Sequence, residues 1–106
     1  MSLTPNNGAD RIIWIDCEMT GLDYVNDALI EIAAVITDGE LNVLDPGIDV
    51  VIKPPAAALA AMGDFVRNMH TTSGLITELD QGVSLEEAEV LVVDYIKKFV
   101  PVPAKA

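Results

Sequence analysis

Basic residues are scarce in this sequence. Lys and Arg total 6 against 17 Asp and Glu, a net charge of −11. A protein that grips long nucleic acid by its phosphates carries a basic stripe. The lack of one excludes a large electrostatic footprint and a long duplex as partner. It does not exclude a small site where bound cations supply the positive charge. Cysteine is almost missing as well: Cys17 is the only one, so no intramolecular disulfide can form. With no Cys or His beside it in sequence, it reads as a small buried hydrophobe. No apolar run is long enough to span a membrane and no signal-peptide pattern opens the chain, so the cytoplasm is the expected compartment.

What is present is enough for one small domain: 106 residues. Residues 1–10 are polar, with Pro5, Asn6, Asn7 and Gly8, and are expected to form a flexible leader. The domain proper is expected over 11–106. Its organising stretch is Arg11-Ile12-Ile13-Trp14-Ile15-Asp16-Cys17-Glu18-Met19-Thr20-Gly21-Leu22. A short apolar run bounded by turn signals reads as a buried strand. Side chains alternate on a strand, so Ile13, Ile15 and Cys17 share one face and Ile12, Trp14, Asp16 and Glu18 the other. Both faces begin apolar, as in a central strand covered on both sides. The two carboxylates then emerge together at its end, roughly 6–7 Å apart at Cα from the rise per residue. Two like charges repel and are costly to desolvate. Hard divalent cations relieve that cost, because carboxylate oxygens suit magnesium and manganese. A lone Asp-x-Glu is also what an exposed polar strand end looks like.

A second strand is expected over Asp27 to Thr37, with Ile30, Ile32, Ala34 and Ile36 on one face and Leu29, Glu31, Ala33 and Val35 on the other. Glu31 either faces the acidic pair from behind or is a solvated or paired charge. Asp38-Gly39 signals a hairpin, and a third strand across Leu41 to Lys53 should be broken or bulged at Pro46-Gly47. Pro54-Pro55 ends it and starts a short helix over Ala56 to Met62. Ser84-Leu85-Glu86-Glu87 fits a capping box. Leu85, Ala88, Leu91, Val92, Tyr95, Ile96 and Phe99 then recur at helical spacing, predicting an amphipathic helix stopped by Pro101.

The string from Trp14 to Asp23 resembles the first exonuclease motif of oligoribonucleases, within the DEDDh group of 3′-to-5′ exonucleases. A second segment also resembles that family: Met62-Gly63-Asp64-Phe65, then Arg67-Asn68-Met69-His70-Thr71-Thr72-Ser73-Gly74-Leu75. The family has Met-Asp-Asp-Trp where this chain has Met-Gly-Asp-Phe. The resemblance implies an α/β ribonuclease H-like fold, here a three-stranded antiparallel meander that is part of a five-stranded mixed sheet. It implies Asp16 and Glu18 as catalytic metal ligands for Mg2+ or Mn2+, with Thr20 and Glu31 supporting them. It implies Leu22 as a wedge against a substrate base, and Met62, Phe65 and His70 as substrate contacts. Read without the resemblance, Leu22 is a plug over the core, Phe65 a core residue and His70 a structural histidine. His70 is not the family's catalytic base, which lies in a later motif.

The implied reaction is stepwise hydrolysis of very short RNA from its 3′ end to nucleoside 5′-monophosphates, by two metals about 3.5–4 Å apart. The implied partner, besides short RNA, is a second copy in a homodimer. The second and third exonuclease motifs, with the remaining acids and the histidine base, are expected beyond Ala106. These residues alone are then expected to be inactive, with an unpaired apolar edge and an exposed helix face. The mean hydropathy of +0.38 fits surface meant to be covered. A proofreading-type DNA exonuclease shares the Asp-x-Glu-x-Thr-Gly core. A non-catalytic binding or structural fragment is the reading from another class. The wording around Asp16 and the His70 segment favour the RNA enzyme.

Overall fold

Antiparallel pairing organises the first half of the molecule. In a computed structural model describing residues 10–100, β1 (Arg11–Met19) pairs with β2 (Leu29–Asp38), and β2 with β3 (Ile48–Val51), giving the order β1-β2-β3. The expected leader, Asp10 apart, and the tail from Pro101 lie outside the described residues. The meander is as expected, but β1 is an edge strand here. Ile12, Trp14, Ile15 and Met19 on it are exposed.

α1 (Ala56–Ala60) follows Pro54-Pro55, and α2 (Asp64–Ser73) follows Gly63. Two short 3₁₀ turns (Leu75–Thr77 and Leu79–Gln81) lead to α3 (Leu85–Phe99). α3 covers one face of the sheet. Ala88 and Val92 pack on Val50 and Ile52, and Tyr95 packs on Ala34 and Ile36, with Ile13, Ile96 and Phe99 around them. The expected stripe therefore holds from Ala88 onward. Leu85 and Leu91, counted with it, are exposed. Leu85 lines an open groove with Pro54 and Pro55 instead, because a sheet of three strands is too narrow to cover every apolar residue of a 15-residue helix.

Two register details correct the simple alternation. Glu18 pairs with Glu31 but Met19 with Leu29, so Ile30 is the extra residue of a β-bulge. The bulge takes Ile30 away from Ile32 and Ala34. It packs instead with Leu75 and Leu79, beside Val51 and Leu59. The third strand is shorter than expected. Only Ile48–Val51 is regular, and Val43 makes one isolated bridge with Thr37. Asp38 turns its carboxylate onto the backbone N–H groups of Glu40 (2.9 Å) and Asn42 (3.0 Å), making a wider turn than a two-residue hairpin. Gly47 then breaks the line. Its φ is +103°, and a Cβ there would lie 2.6 Å from the Ala34 carbonyl oxygen. The Asp45 carboxylate fixes this corner, accepting from Gly47 N–H at 2.9 Å and from the Tyr95 hydroxyl at 3.0 Å.

The capping box forms its first half: Ser84 Oγ accepts from Glu87 N–H at 3.1 Å. Ser84→Ala should lower the unfolding free energy by about 0.5–2 kcal/mol. Urea denaturation followed by circular dichroism measures this, and an unchanged midpoint would show that the cap contributes nothing.

Candidate functional site

The face of the sheet away from α3 carries the acids. Asp16 pairs with Ala33 and Ala33 with Asp49; Glu18 pairs with Glu31 and Glu31 with Val51. Directly paired residues point to the same side. Asp16, Glu18, Glu31 and Asp49 therefore share one face, opposite the Ile13–Ile36 pair that lies under α3. The two ligand candidates fall on one side of the sheet, as alternation requires. Asp49 went unrecognised in the sequence. Its signal was the same alternation, but Gly47 and the loop before it hide the register until the pairing is seen.

The cluster is electrostatically strained. Burial pushes the Glu31 carboxyl up to about 7; a hydrogen bond shared with Asp49 and the charges of Asp49, Glu18 and Glu78 push in the same direction. Glu31 thus faces the acidic pair and is not merely solvated. Cys17 lies on the opposite face and is half-buried; desolvation and the Asp16 and Glu18 charges raise its thiol pKa. Among the described residues, no three His, Cys, Asp or Glu side chains converge to hold one ion. Asp16 and Glu18 are at most part of a ligand set. Their donors are hard oxygens in a crowded negative field, which suits a divalent cation.

Beside the acids the face opens into a concavity of about 480 Å³, lined by Trp14, Asp16, Val35, Pro46, Gly47 and Asp49 among others. The Trp14 indole N–H donates to Thr37 Oγ1 at 2.9 Å, which holds the ring along the sheet.

The turn after β1 is closed by Thr20. Its backbone N–H donates to the Ala28 carbonyl at 2.9 Å, and its hydroxyl accepts from Ala28 N–H at 2.9 Å and donates to Asp27 at 2.8 Å. Thr20 is buried and organises the turn rather than facing a ligand. A Cβ at Gly21 would lie 2.3 Å from Asp27 Oδ2, so a larger residue there would push the Asp27 side chain out of its place. This turn presents Leu22, 94% exposed, to solvent. Phe65, in the first turn of α2, is 82% exposed. Both side chains are free to meet a ligand, and neither is the core residue that the bland reading made it.

His70 and Met62 are placed differently from what the resemblance implies. Met62 is a buried core residue. His70 is 2% exposed, and its Nε2 lies 2.9 Å from the Met19 carbonyl oxygen. It must donate to that carbonyl. The ring is almost wholly enclosed by the described residues. It ties α2 to the end of β1, one residue beyond Glu18. The α2 segment itself was not recognised as a helix in the sequence, because its apolar spacing is sparse and its Thr-Thr-Ser end is polar.

Comparison with known proteins adds three findings. The family model described as "Exonuclease" matches residues 13–103. Oligoribonucleases of Leifsonia xyli subsp. xyli and Cutibacterium acnes are 63% identical over 93 residues and 58% identical over 95 residues. They align to 88% and 90% of this chain but to 45% and 47% of their own lengths, so the chain spans about half of each. Among solved structures, the nuclease domain of 3′hExo, a DEDDh family member, bound to rAMP, superposes with TM-score 0.68 at 18% identity over 95% of this chain and 50% of that one. A full-length 3′-exonuclease superposes with TM-score 0.64 at 19% identity over 91% of this chain and 32% of that one. The likeness shows an α/β, ribonuclease H-like fold.

The Glu31 shift has a sign that can be measured. Its ordinary value is 4.5 and its folded value about 7, so the folded state holds the proton more tightly. That stabilisation is fully present below about pH 4.5 and is lost as the pH rises through about 7. With EDTA present, the denaturation midpoint should therefore fall across this window. Glu31→Gln should flatten the slope; an equally steep slope in the variant would assign it to another group.

Proposed function

The chain belongs to the exonuclease family, and on that footing we propose that its protein is a 3′-to-5′ exoribonuclease of the oligoribonuclease type. Its substrates are very short RNA oligomers, its products nucleoside 5′-monophosphates, and its cofactor Mg2+ or Mn2+. The observation that carries this reading is the shared face of Asp16 and Glu18 at the end of β1. It is supported by the identity to oligoribonucleases over about nine-tenths of the chain.

Bound divalent ions would activate water and neutralise charge on the scissile phosphodiester. The chain's own residues do the rest of what is assigned here. Asp16 and Glu18 supply ligand oxygens. Asp49, on the same face, adds to the negative field that draws cations to that end of the sheet. His70 holds the Met19 carbonyl and so fixes the strand end that carries Glu18. Leu22 and Phe65 are exposed and can pack against bases. Base stacking is worth about 1–3 kcal/mol per base in single-strand binders.

Among the described residues no exposed histidine is present to take the proton of the attacking water. His70 is the only histidine, and its ring is buried against Met19. We assign residues 11–106 to the first portion of the exonuclease domain, and the base and remaining ligands to the rest of the protein. The 106 residues alone should therefore not turn over RNA. We further place the protein in the cytoplasm as a homodimer. No helix among the described residues is long and apolar enough to cross a membrane. Ile12, Trp14 and Ile15 on β1, and Val90, Leu91 and Val93 on α3, are large apolar residues left exposed, which supports burial of some of them in an assembly.

The deciding assay offers two-nucleotide RNA and longer DNA to the full-length protein with Mn2+. Faster release of nucleoside monophosphate from the RNA is expected; a preference for long DNA overturns the proposal. Asp16→Asn should cost on the order of 100-fold or more, beyond the 10–100-fold typical of groups that only orient ligands. A variant with full activity would remove Asp16 from the ligand set.

A further inference from the structure

The turn that carries Leu22 displays more than Leu22. Within four residues, Leu22, Tyr24 and Val25 are all large, apolar and exposed, and the Tyr24 side chain is 95% exposed. Soluble proteins seldom leave such a cluster open without a use for it. The display is not the looseness of a floppy loop. Asp23 Oδ1 accepts from Val25 N–H at 2.9 Å and Asn26 N–H at 3.3 Å, and Asp23 Oδ2 accepts from Asn26 Nδ2 at 2.8 Å. Asp27 Oδ2 accepts from Asp23 N–H at 2.9 Å, and Asp27 N–H donates to the Asp23 carbonyl at 2.7 Å. Thr20 closes the base of the loop on Ala28 and Asp27. The backbone is thus ordered before any ligand arrives, which lowers the cost of binding.

The loop's position and charge point to one class of ligand. It starts directly after β1, and Tyr24 lies six residues past Glu18, so the chain keeps it within about 20 Å of the carboxylates and the closed loop brings it nearer. Residues 20–27 contain no Lys or Arg, and the chain's charge is −11. The loop therefore offers no cationic side chain to a phosphate. Both its carboxylates are turned inward onto backbone and side-chain donors, which leaves the aromatic face as its reactive surface. A flat π-face stacks on any nucleobase.

We infer that Tyr24 is a base-stacking residue that sets affinity for the short RNA substrate, pairing its ring with Leu22 on the same preformed loop. This rests on the exoribonuclease reading and adds a substrate contact to it. The ring, not its hydroxyl, makes the contact.

The test uses the full-length protein and a two-nucleotide RNA carrying 2-aminopurine, with Ca2+ in place of Mn2+ to hold the complex. Quenching of the 2-aminopurine reads affinity without turnover. Tyr24→Ala should weaken binding about 5–150-fold, the range for loss of one base stack. Tyr24→Phe should restore affinity to within about twofold, and Val25→Ala should leave it unchanged within the same margin. With Mn2+, the Tyr24→Ala loss should appear chiefly in KM. Three outcomes overturn the inference: undiminished affinity in Tyr24→Ala, an equal loss in Val25→Ala, or a Tyr24→Ala effect confined to self-association measured by light scattering. If the wild-type protein binds and cleaves the dinucleotide while any of these holds, the exoribonuclease reading survives and only the role of Tyr24 falls. If the wild-type protein neither binds nor cleaves it, both fall.

Discussion

The register between β1 and β2 is the constraint on which the rest depends. Pairing Asp16 with Ala33 and Glu18 with Glu31 sets these three acids on the face away from α3. A slip of one residue would exchange the faces of the whole strand. Asp16 and Glu18 would then lie under Ala34, Ile36 and Tyr95, and Ile13 would turn outward. Burying two unpaired carboxylates against an apolar helix is prohibitive. The same hydrophobic contacts that stabilise the sheet thus aim the chemistry. Ile13 under α3 and Asp16 in the open are two statements of one alignment.

That alignment creates a difficulty which the fold leaves unresolved within these residues. Four carboxylates stand on one side of a small sheet, and Glu31 responds by holding its proton up to about pH 7. The fold accepts this because neighbouring parts brace it. The Ile30 bulge clips β2 to Leu75 and Leu79, and His70 clips α2 to the Met19 carbonyl. The bracing lies beside the acids rather than among them. Charge is left for ions to neutralise, while position is supplied by the protein.

Much of this was legible in the sequence, for reasons that can be named. The alternation from Ile12 to Glu18 assigned both ligand candidates to one face, since period two leaves no other choice. Ser84 announced the start of α3, since a hydroxyl at that spot bonds the N–H three residues on. The failures share a cause: they depend on contacts distant in sequence. Asp49 joined the acids only once β3 had found its place beyond Gly47. Ile30 left its row because of a bulge whose reason is the packing of Leu75 and Leu79. The link from His70 to the end of β1 could not be read in the sequence; its partner, Met19, is 51 residues away. Leu85 and Leu91 obeyed the helical period, yet the period does not report how wide the sheet beneath them is.

The lopsided charge has a further consequence for whatever approaches these residues. An anion that nears them without a bound cation between meets repulsion from a surface of net charge −11 over 106 residues. Added salt, which weakens attraction between opposite charges, would here screen a repulsion instead.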